Sequence, residues 1–251
     1  MNNTDPSDDS VRRQLLTRLR HLRNAGIEWL PRAAPLDFAA ASKTEAVAQE
    51  CSEGDLLESR RLALITLADE VKSCTRCAEL CSTRTQTVFG QGEPDVELCF
   101  IGEAPGAEED AQGIPFVGAA GQLLNRIIDA SGFRREEVYI CNILKCRPPG
   151  NRTPLPNEAA NCRGYLDRQL ELVRPKYIVA LGACAANNLL QNTISVGKLR
   201  GRFHQYKDIP VMVTYHPAYL LPHRSPQSKR EVWEDMKMLL QKMGRPVPAK
   251  S

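Results

Sequence analysis

The chain has 251 residues, 42% hydrophobic and 25% charged, the balance of a globular protein, which excludes wholesale disorder and collagen-like structure. With 33 basic against 30 acidic residues the net charge is only +3, so bulk charge does not announce nucleic acid. No apolar run approaches the roughly 20 residues of a membrane span. The opening MNNTDPSDD lacks the basic-then-apolar order of a signal peptide, so the expectation is a cytoplasmic protein with no membrane contact, a monomer by default.

Residues 1–10 are polar. From Ser10, an N-cap residue, VRRQLLTRLRHLRNAG sets Val11, Leu15, Leu16, Leu19 and Leu22 at helical spacing and ends near Gly26, with Arg12, Arg13, Arg18, Arg20 and Arg23 on a solvated face. Residues 31–58 are Ala-rich and broken by Pro, Ser and Gly, as in a linker. A second helix runs through LLESRRLALITLADEVKS into Cys74. Beyond it VELCFIG, VYICNIL, YIVALG and PVMVTYH are short apolar runs of the kind found in strands buried on both faces. Between them GQLLNRIIDASG, NEAANCRGYLDRQLELVR and ACAANNLL carry helical periodicity, and a last helix covers about 226–243. This alternation predicts a three-layer α/β/α sandwich around a central four-stranded parallel sheet, over residues 61–251, with 1–60 as an N-terminal extension.

Nine cysteines, an odd number in a chain with no export signal, point to metal or catalysis before disulfides. Cys74 and Cys77 form a C-x-x-C clip, whose two thiolates can reach one metal centre. Cys146 and Cys162, nearly seventy residues further on, would complete a tetrahedral zinc site or a cubane [4Fe–4S] cluster, and spacing does not choose between them. Cys81 competes for a ligand role; Cys99, Cys141 and Cys184 read as ordinary small apolar residues.

The first strand runs into GEAPGAEEDAQGIPFVGAAGQLL, where an open parallel sheet binds its ligands. Glycines and Pro105 let backbone N–H groups crowd a ligand, Glu103, Glu108, Glu109 and Asp110 bring carboxylates, and Phe116 offers a stacking face. Asn142 ends the second strand and His216 the fourth, so three strand ends converge on Glu, Asn and His. No P-loop, dinucleotide fingerprint, G-x-S-x-G elbow, H-E-x-x-H pair or zinc-deaminase signature is present.

With the clip at 74–77, GEAPG at 102–106, PFVG at 115–118, NILKCRPPGNR at 142–152, Cys162 and HPAYLL at 216–221 in order, the sequence resembles the family 4, iron–sulfur uracil-DNA glycosylases over about residues 61–251. The resemblance implies base excision from uracil-containing DNA and a [4Fe–4S] cluster on Cys74, Cys77, Cys146 and Cys162. It further implies that Phe116 stacks on the flipped uracil and that the Asn142 amide reads its O4 and N3–H. Ala104 and its neighbours offer backbone N–H groups, Glu109 packs where a thymine methyl would project, His216 donates toward uracil O2, and Glu103 positions or activates the attacking water. Leu220 and Leu221 are expected to wedge into the duplex; Arg147 and Arg152, with Lys198 and Arg200 of GKLRGRF, are expected on phosphates. The uracil-trapping branch carries a Gln where Ala104 stands and a basic His-containing insertion where CRPPGNRTP stands, and so ranks below the excising one. A non-catalytic DNA-binding module and a zinc-bound structural protein are the remaining alternatives.

Overall fold

The computed structural model describes residues 53–221 and 226–248. The helix expected from Ser10 to Gly26 and Cys51 lie outside the described residues. Among those described, no helix is long and apolar enough to cross a membrane.

The first helix, α1, spans Glu53–Lys72 and is followed by α2, Ala78–Thr83, directly after Cys77. It starts inside the stretch whose composition suggests a linker, and Arg60 at 3.2 Å from Asp95 ties that first part to the body of the domain. Five strands follow: β1 Leu98–Gly102, β2 Val138–Asn142, β3 Tyr177–Leu181, β4 Phe203–Tyr206 and β5 Ile209–Thr214. Six further α-helices follow among the described residues: α3 Ala107–Gln112, α4 Ala119–Ala130, α5 Pro156–Val173, α6 Gly182–Leu190, α7 Val196–Leu199 and α8 Pro226–Lys242.

The sheet order is β2-β1-β3-β5-β4. The four strands anticipated from apolar runs are all parallel, and the sequence reading falls short by one: β4 is a fifth strand, antiparallel to β5 at the edge. It pairs through the two-residue loop Lys207–Asp208, with Lys207 at φ 50, the left-handed conformation that tight hairpins require. The mixed composition of FHQY gives no apolar run to detect.

Alternation along the strands sorts the core into two faces, as the period of two demands. Cys99, Ile101, Tyr139, Cys141, Ile178, Ala180, Val211 and Val213 meet α5 and α6 on one side. Leu98, Phe100, Ile140, Val179, Leu181 and Met212 meet α4 and α8 on the other. The strand order reverses at β1, so the crevice between β1 and β3, beyond their carboxyl ends, is where a ligand fits.

Arg200 follows α7 and holds Asp235 of α8, a residue with no exposed surface, through two contacts of 3.1 Å. Asp235 also accepts from Thr214 Oγ1 at 2.7 Å and from the Gly201 N–H at 3.1 Å. Removing one partner of a buried pair strands the other charge. Arg200→Ala is therefore expected to lower the unfolding free energy by about 3 kcal/mol in urea titrations. Unchanged stability with weakened DNA affinity would instead assign Arg200 to phosphate.

Candidate active site

The last pair of the β1–β2 ladder sets Gly102 opposite Asn142. A Cβ on Gly102 would lie 2.4 Å from both Asn142 Oδ1 and Phe116 Cζ, so only glycine leaves room for the two side chains above it. Asn142 is 2% exposed, and its Oδ1 is buried with no hydrogen-bond partner. An unpaired buried acceptor is costly and marks a position that a ligand donor completes.

Phe116 is also buried, in a left-handed backbone conformation at φ 54 that a phenylalanine does not adopt without external hold. The hold comes from both sides. Glu109 Oε1 accepts from the N–H groups of Val117 and Gly118, each at 2.9 Å, while its Oε2 accepts from Gly106 N–H at 3.0 Å. Arg135 donates to the Pro115 carbonyl at 2.6 Å and the Phe116 carbonyl at 3.3 Å. Both Glu109 oxygens thus strap the loop that carries the aromatic ring.

His216 follows β5, beside Gly182, where a Cβ would approach His216 Cβ to 3.0 Å. Its ring centre lies 5.6 Å from that of Phe116. The Ala218 N–H donates to Nδ1 at 3.2 Å, so Nδ1 carries the lone pair and Nε2 the proton. Burial drives its pKa down to about 4 against the opposing field of Glu109, leaving a neutral imidazole that donates from Nε2. Glu103, next after β1, has its carboxyl raised above the ordinary range by burial. These residues share one cavity of about 330 Å³ with Ala104, Pro105, Gly106, Ala120, Pro148, Asn151, Arg152 and Ala218.

The other expected residues separate. Arg152 lines the cavity, but its guanidinium grips the Glu158 carboxylate at 2.6 and 2.9 Å and Glu79 at 2.8 Å, joining the RPPGNR loop to α5 and α2. Arg147 bonds Asn151 Oδ1 at 2.7 Å. Lys198 is exposed. Leu220 sits in the core between α4 and α8, 3% exposed, and Leu221 is half-buried.

Cys74 and Cys77, flanking the α1–α2 turn, pack with Cys162 of α5, and Cys146 joins Cys77 and Cys162 around Leu80 and Leu144. All four are free thiols, as is Cys81. No group of three or more His, Cys, Asp or Glu among the described residues is arranged to hold a single metal ion. The surroundings nevertheless suit thiolate sulfurs. Arg84 Nη1 lies 3.0 Å from Cys146 Sγ while its Nη2 bonds the Cys74 carbonyl at 2.9 Å, and Asn161 Nδ2 lies 3.5 Å from Cys77 Sγ. Burial pushes the bare Cys146 thiol up to about 11 in spite of Arg84. A cation on Cys146 and an amide donor on Cys77 fit a group that keeps these sulfurs as thiolates, as a [4Fe–4S] cluster does.

Sequence reading missed Arg84, Lys145 and Gln169. Lys145 alone left a signal, a lysine inside the apolar run before Cys146.

The pKa of His216 fixes a pH dependence. The unfolded chain protonates this imidazole near the ordinary 6.5 and the folded protein only near 4, so its contribution to stability is complete above 6.5 and lost as pH falls through that interval. Urea midpoints measured between pH 7 and pH 4 should fall more steeply for the native chain than for His216→Asn.

The Uracil DNA glycosylase superfamily profile matches residues 89–237. A type-4 uracil-DNA glycosylase of Thermotoga maritima is 46% identical over 68% of this chain and 89% of its own length. One from Archaeoglobus fulgidus is 42% identical over 74% and 96%. A type-5 uracil-DNA glycosylase of Pyrobaculum aerophilum is 28% identical over 59% and 79%. With the match spanning more than half the chain and the identity spread over nearly the whole of these relatives, the chain belongs to the uracil-DNA glycosylase superfamily, on its type-4 branch.

Proposed function

We propose that this protein removes uracil from DNA by hydrolysing the N-glycosidic bond, leaving an abasic site. The observation that carries the reading is the orphaned Asn142 Oδ1, held in one cavity with Phe116, His216 and Glu103.

A base must leave the stack before its glycosidic bond can be reached. The flipped uracil lies on Phe116, a contact worth about 1–3 kcal/mol. Asn142 Oδ1 accepts from N3–H and its amide group donates to O4. Cytosine presents an acceptor and a donor at these places, the reverse pattern, and leaves both Asn142 atoms unsatisfied. Glu109 walls the pocket against a thymine methyl, and backbone N–H groups at Ala104 and its neighbours face the ring.

Cleavage leaves an oxocarbenium-like sugar and a uracil anion. The neutral His216 donates from Nε2 toward O2 as negative charge develops, where a fixed donor helps most. Glu103 orients the attacking water and takes its proton. Cys74, Cys77, Cys146 and Cys162 hold the [4Fe–4S] cluster, which when bound supplies a covalent tie between the α1–α2 turn, the loop after β2 and α5. Arg147 and Lys198 face phosphate, and Leu221, half-buried while Leu220 is held in the core, follows the gap left by the flipped base. We read the enzyme as a cytoplasmic monomer that acts on uracil-containing DNA, with the residues before α1 as an extension to the glycosylase domain.

Two measurements test this. An end-labelled oligonucleotide containing one uracil, incubated with cluster-loaded protein, should break at the uracil only after hot alkali. A slow covalent band would move the protein to the uracil-trapping branch, and no change at all would end the catalytic reading. Glu103→Gln should lower kcat/KM about 10²- to 10⁴-fold. In the native enzyme the acid limb of kcat/KM should fall above the ordinary carboxylate range, because burial raises this carboxyl and activity is lost as it protonates. An acid limb unchanged in Glu103→Gln would remove it from the proton transfer.

A further inference from the structure

We propose that Arg135 is a positioning residue for base binding. Its guanidinium ties the loop that carries Phe116 to β2, the strand that ends in Asn142, and so fixes the spacing between the ring that stacks on the base and the amide that reads its edge. The inference deepens the reading of the pocket given above and rests on it.

Arg135 opens the 3₁₀ turn Arg135–Glu137 that leads directly into β2, and its side chain is half-buried. All five of its N–H donors are engaged. Nε and Nη2 donate to Gln91 Oε1 at 3.2 and 2.9 Å, and Nη2 also to the Pro115 carbonyl at 2.6 Å. Nη1 donates to the Phe116 carbonyl at 3.3 Å and to Asn125 Oδ1 of α4 at 2.6 Å. Every one of these acceptors is neutral, so geometry and not ion pairing is what the planar fork supplies. A guanidinium with its donors spent in this way has none left for phosphate.

Each contact leads to an element that bears on the pocket. Gln91 is bridged to β2 by two backbone bonds: its N–H donates to the Ile140 carbonyl at 2.9 Å, and its carbonyl accepts from the Ile140 N–H at 2.8 Å. Asn125 belongs to α4, whose first turn carries Gly121, where a Cβ would overlap the Phe116 carbonyl. That carbonyl therefore rests on α4 while it accepts from Arg135. Two successive carbonyls anchored to one rigid group keep Phe116 in its left-handed conformation, φ 54. Glu109 straps the N–H groups that follow, but from α3, so its bonds do not refer the ring to β2. The amide end of the pair is fixed separately. The Asn142 carbonyl accepts from the buried Lys145 Nζ at 2.9 Å, and Gln169 Oε1 holds the same ammonium at 2.5 Å. With the amide set by its strand, the place of the ring relative to it is set by Arg135.

The test uses cluster-loaded protein, a uracil-containing oligonucleotide and free uracil as inhibitor. Arg135→Gln should raise both KM and the inhibition constant of uracil about tenfold, the scale of a weakened base–aromatic stack, with kcat at saturation little changed. A fall in kcat at unchanged KM, or no change in either constant, overturns the proposal. Adding Arg135→Gln to Phe116→Ala should weaken uracil inhibition no further, because the arginine acts through the ring; losses that multiply would show that it does not. Arg135→Lys keeps the charge without the fork and should resemble Arg135→Gln. Full rescue by lysine would make the residue a phosphate contact and end the proposal. One readout does not depend on activity. In protein labelled with fluorophenylalanine, the fluorine resonance missing from Phe116→Ala should shift in Arg135→Gln. An unmoved resonance removes the clamp, whereas a native enzyme that neither binds nor releases uracil removes only the reading of the pocket. If Arg135→Gln does not fold, Gln91→Leu loosens the same fork and should move the inhibition constant in the same direction, and no movement there is equally decisive against it.

Discussion

The arrangement depends on one stretch of parallel pairing, the ladder between β1 and β2, and on its running past the ends of both strands. Gly102 faces Asn142 as the last regular pair, and two further bonds follow, from Ile143 N–H to the Gly102 carbonyl at 3.0 Å and from Leu144 N–H to the Glu103 carbonyl at 3.1 Å. A shift of register by one residue would turn every side chain of β2 to the opposite face. Asn142 would then leave the pocket and Cys146 would leave the other thiols. The same ladder therefore delivers the amide, the acid at 103 and one cysteine, and it does so with a glycine where a Cβ would obstruct both Asn142 and Phe116.

Around that frame, desolvation decides which groups are charged. Glu103, just after β1, and Glu109, in α3, lie six residues apart but in different environments. Glu109 receives three backbone N–H groups, which fix its carboxylate as a strut between Gly106 and the Val117–Gly118 turn. Glu103 has burial without such partners, so its proton is held more tightly. Two carboxyl groups of one segment thus differ in what surrounds them: one is strapped by backbone donors, and the other, in the proposed reading, is left to act as a base. His216 completes the set as a neutral donor. An imidazolium would be favoured by Glu109 but disfavoured more by burial, and the Ala218 N–H on Nδ1 settles which nitrogen keeps the proton.

Much of this was legible in the sequence, for reasons that particular elements make plain. The four parallel strands announce themselves because burial on both faces demands unbroken apolar runs, and VELCFIG or YIVALG cannot be read otherwise. β4 is invisible because an edge strand with one covered face needs no such run, and FHQY has the composition of a loop. Glu103, Asn142 and His216 were found because strand ends are where a parallel sheet exposes chemistry. The double engagement of Glu109, the strained Phe116 and the grip of Arg135 could not be found, since each depends on a contact between residues eight to twenty positions apart whose types are unremarkable on their own.

Arginines were the least readable of all, and the reason is general. Lys198, Arg200 and Arg152 look alike in the sequence, as basic residues in Gly- or Pro-rich loops. In three dimensions Arg200 closes on a carboxylate with no exposed surface and Arg152 on one that is 4% exposed, whereas Lys198 stands in solvent. An arginine whose fork already holds a buried carboxylate cannot offer the same donors to phosphate without abandoning that carboxylate in the core. The count of cations available to a DNA backbone is therefore smaller than the local sequence suggests. With a net charge of +3 the chain as a whole has no large positive excess to draw a polyanion from a distance. In the proposed reading recognition rests instead on the pocket, where a stacked ring, one amide and one imidazole would discriminate the base itself.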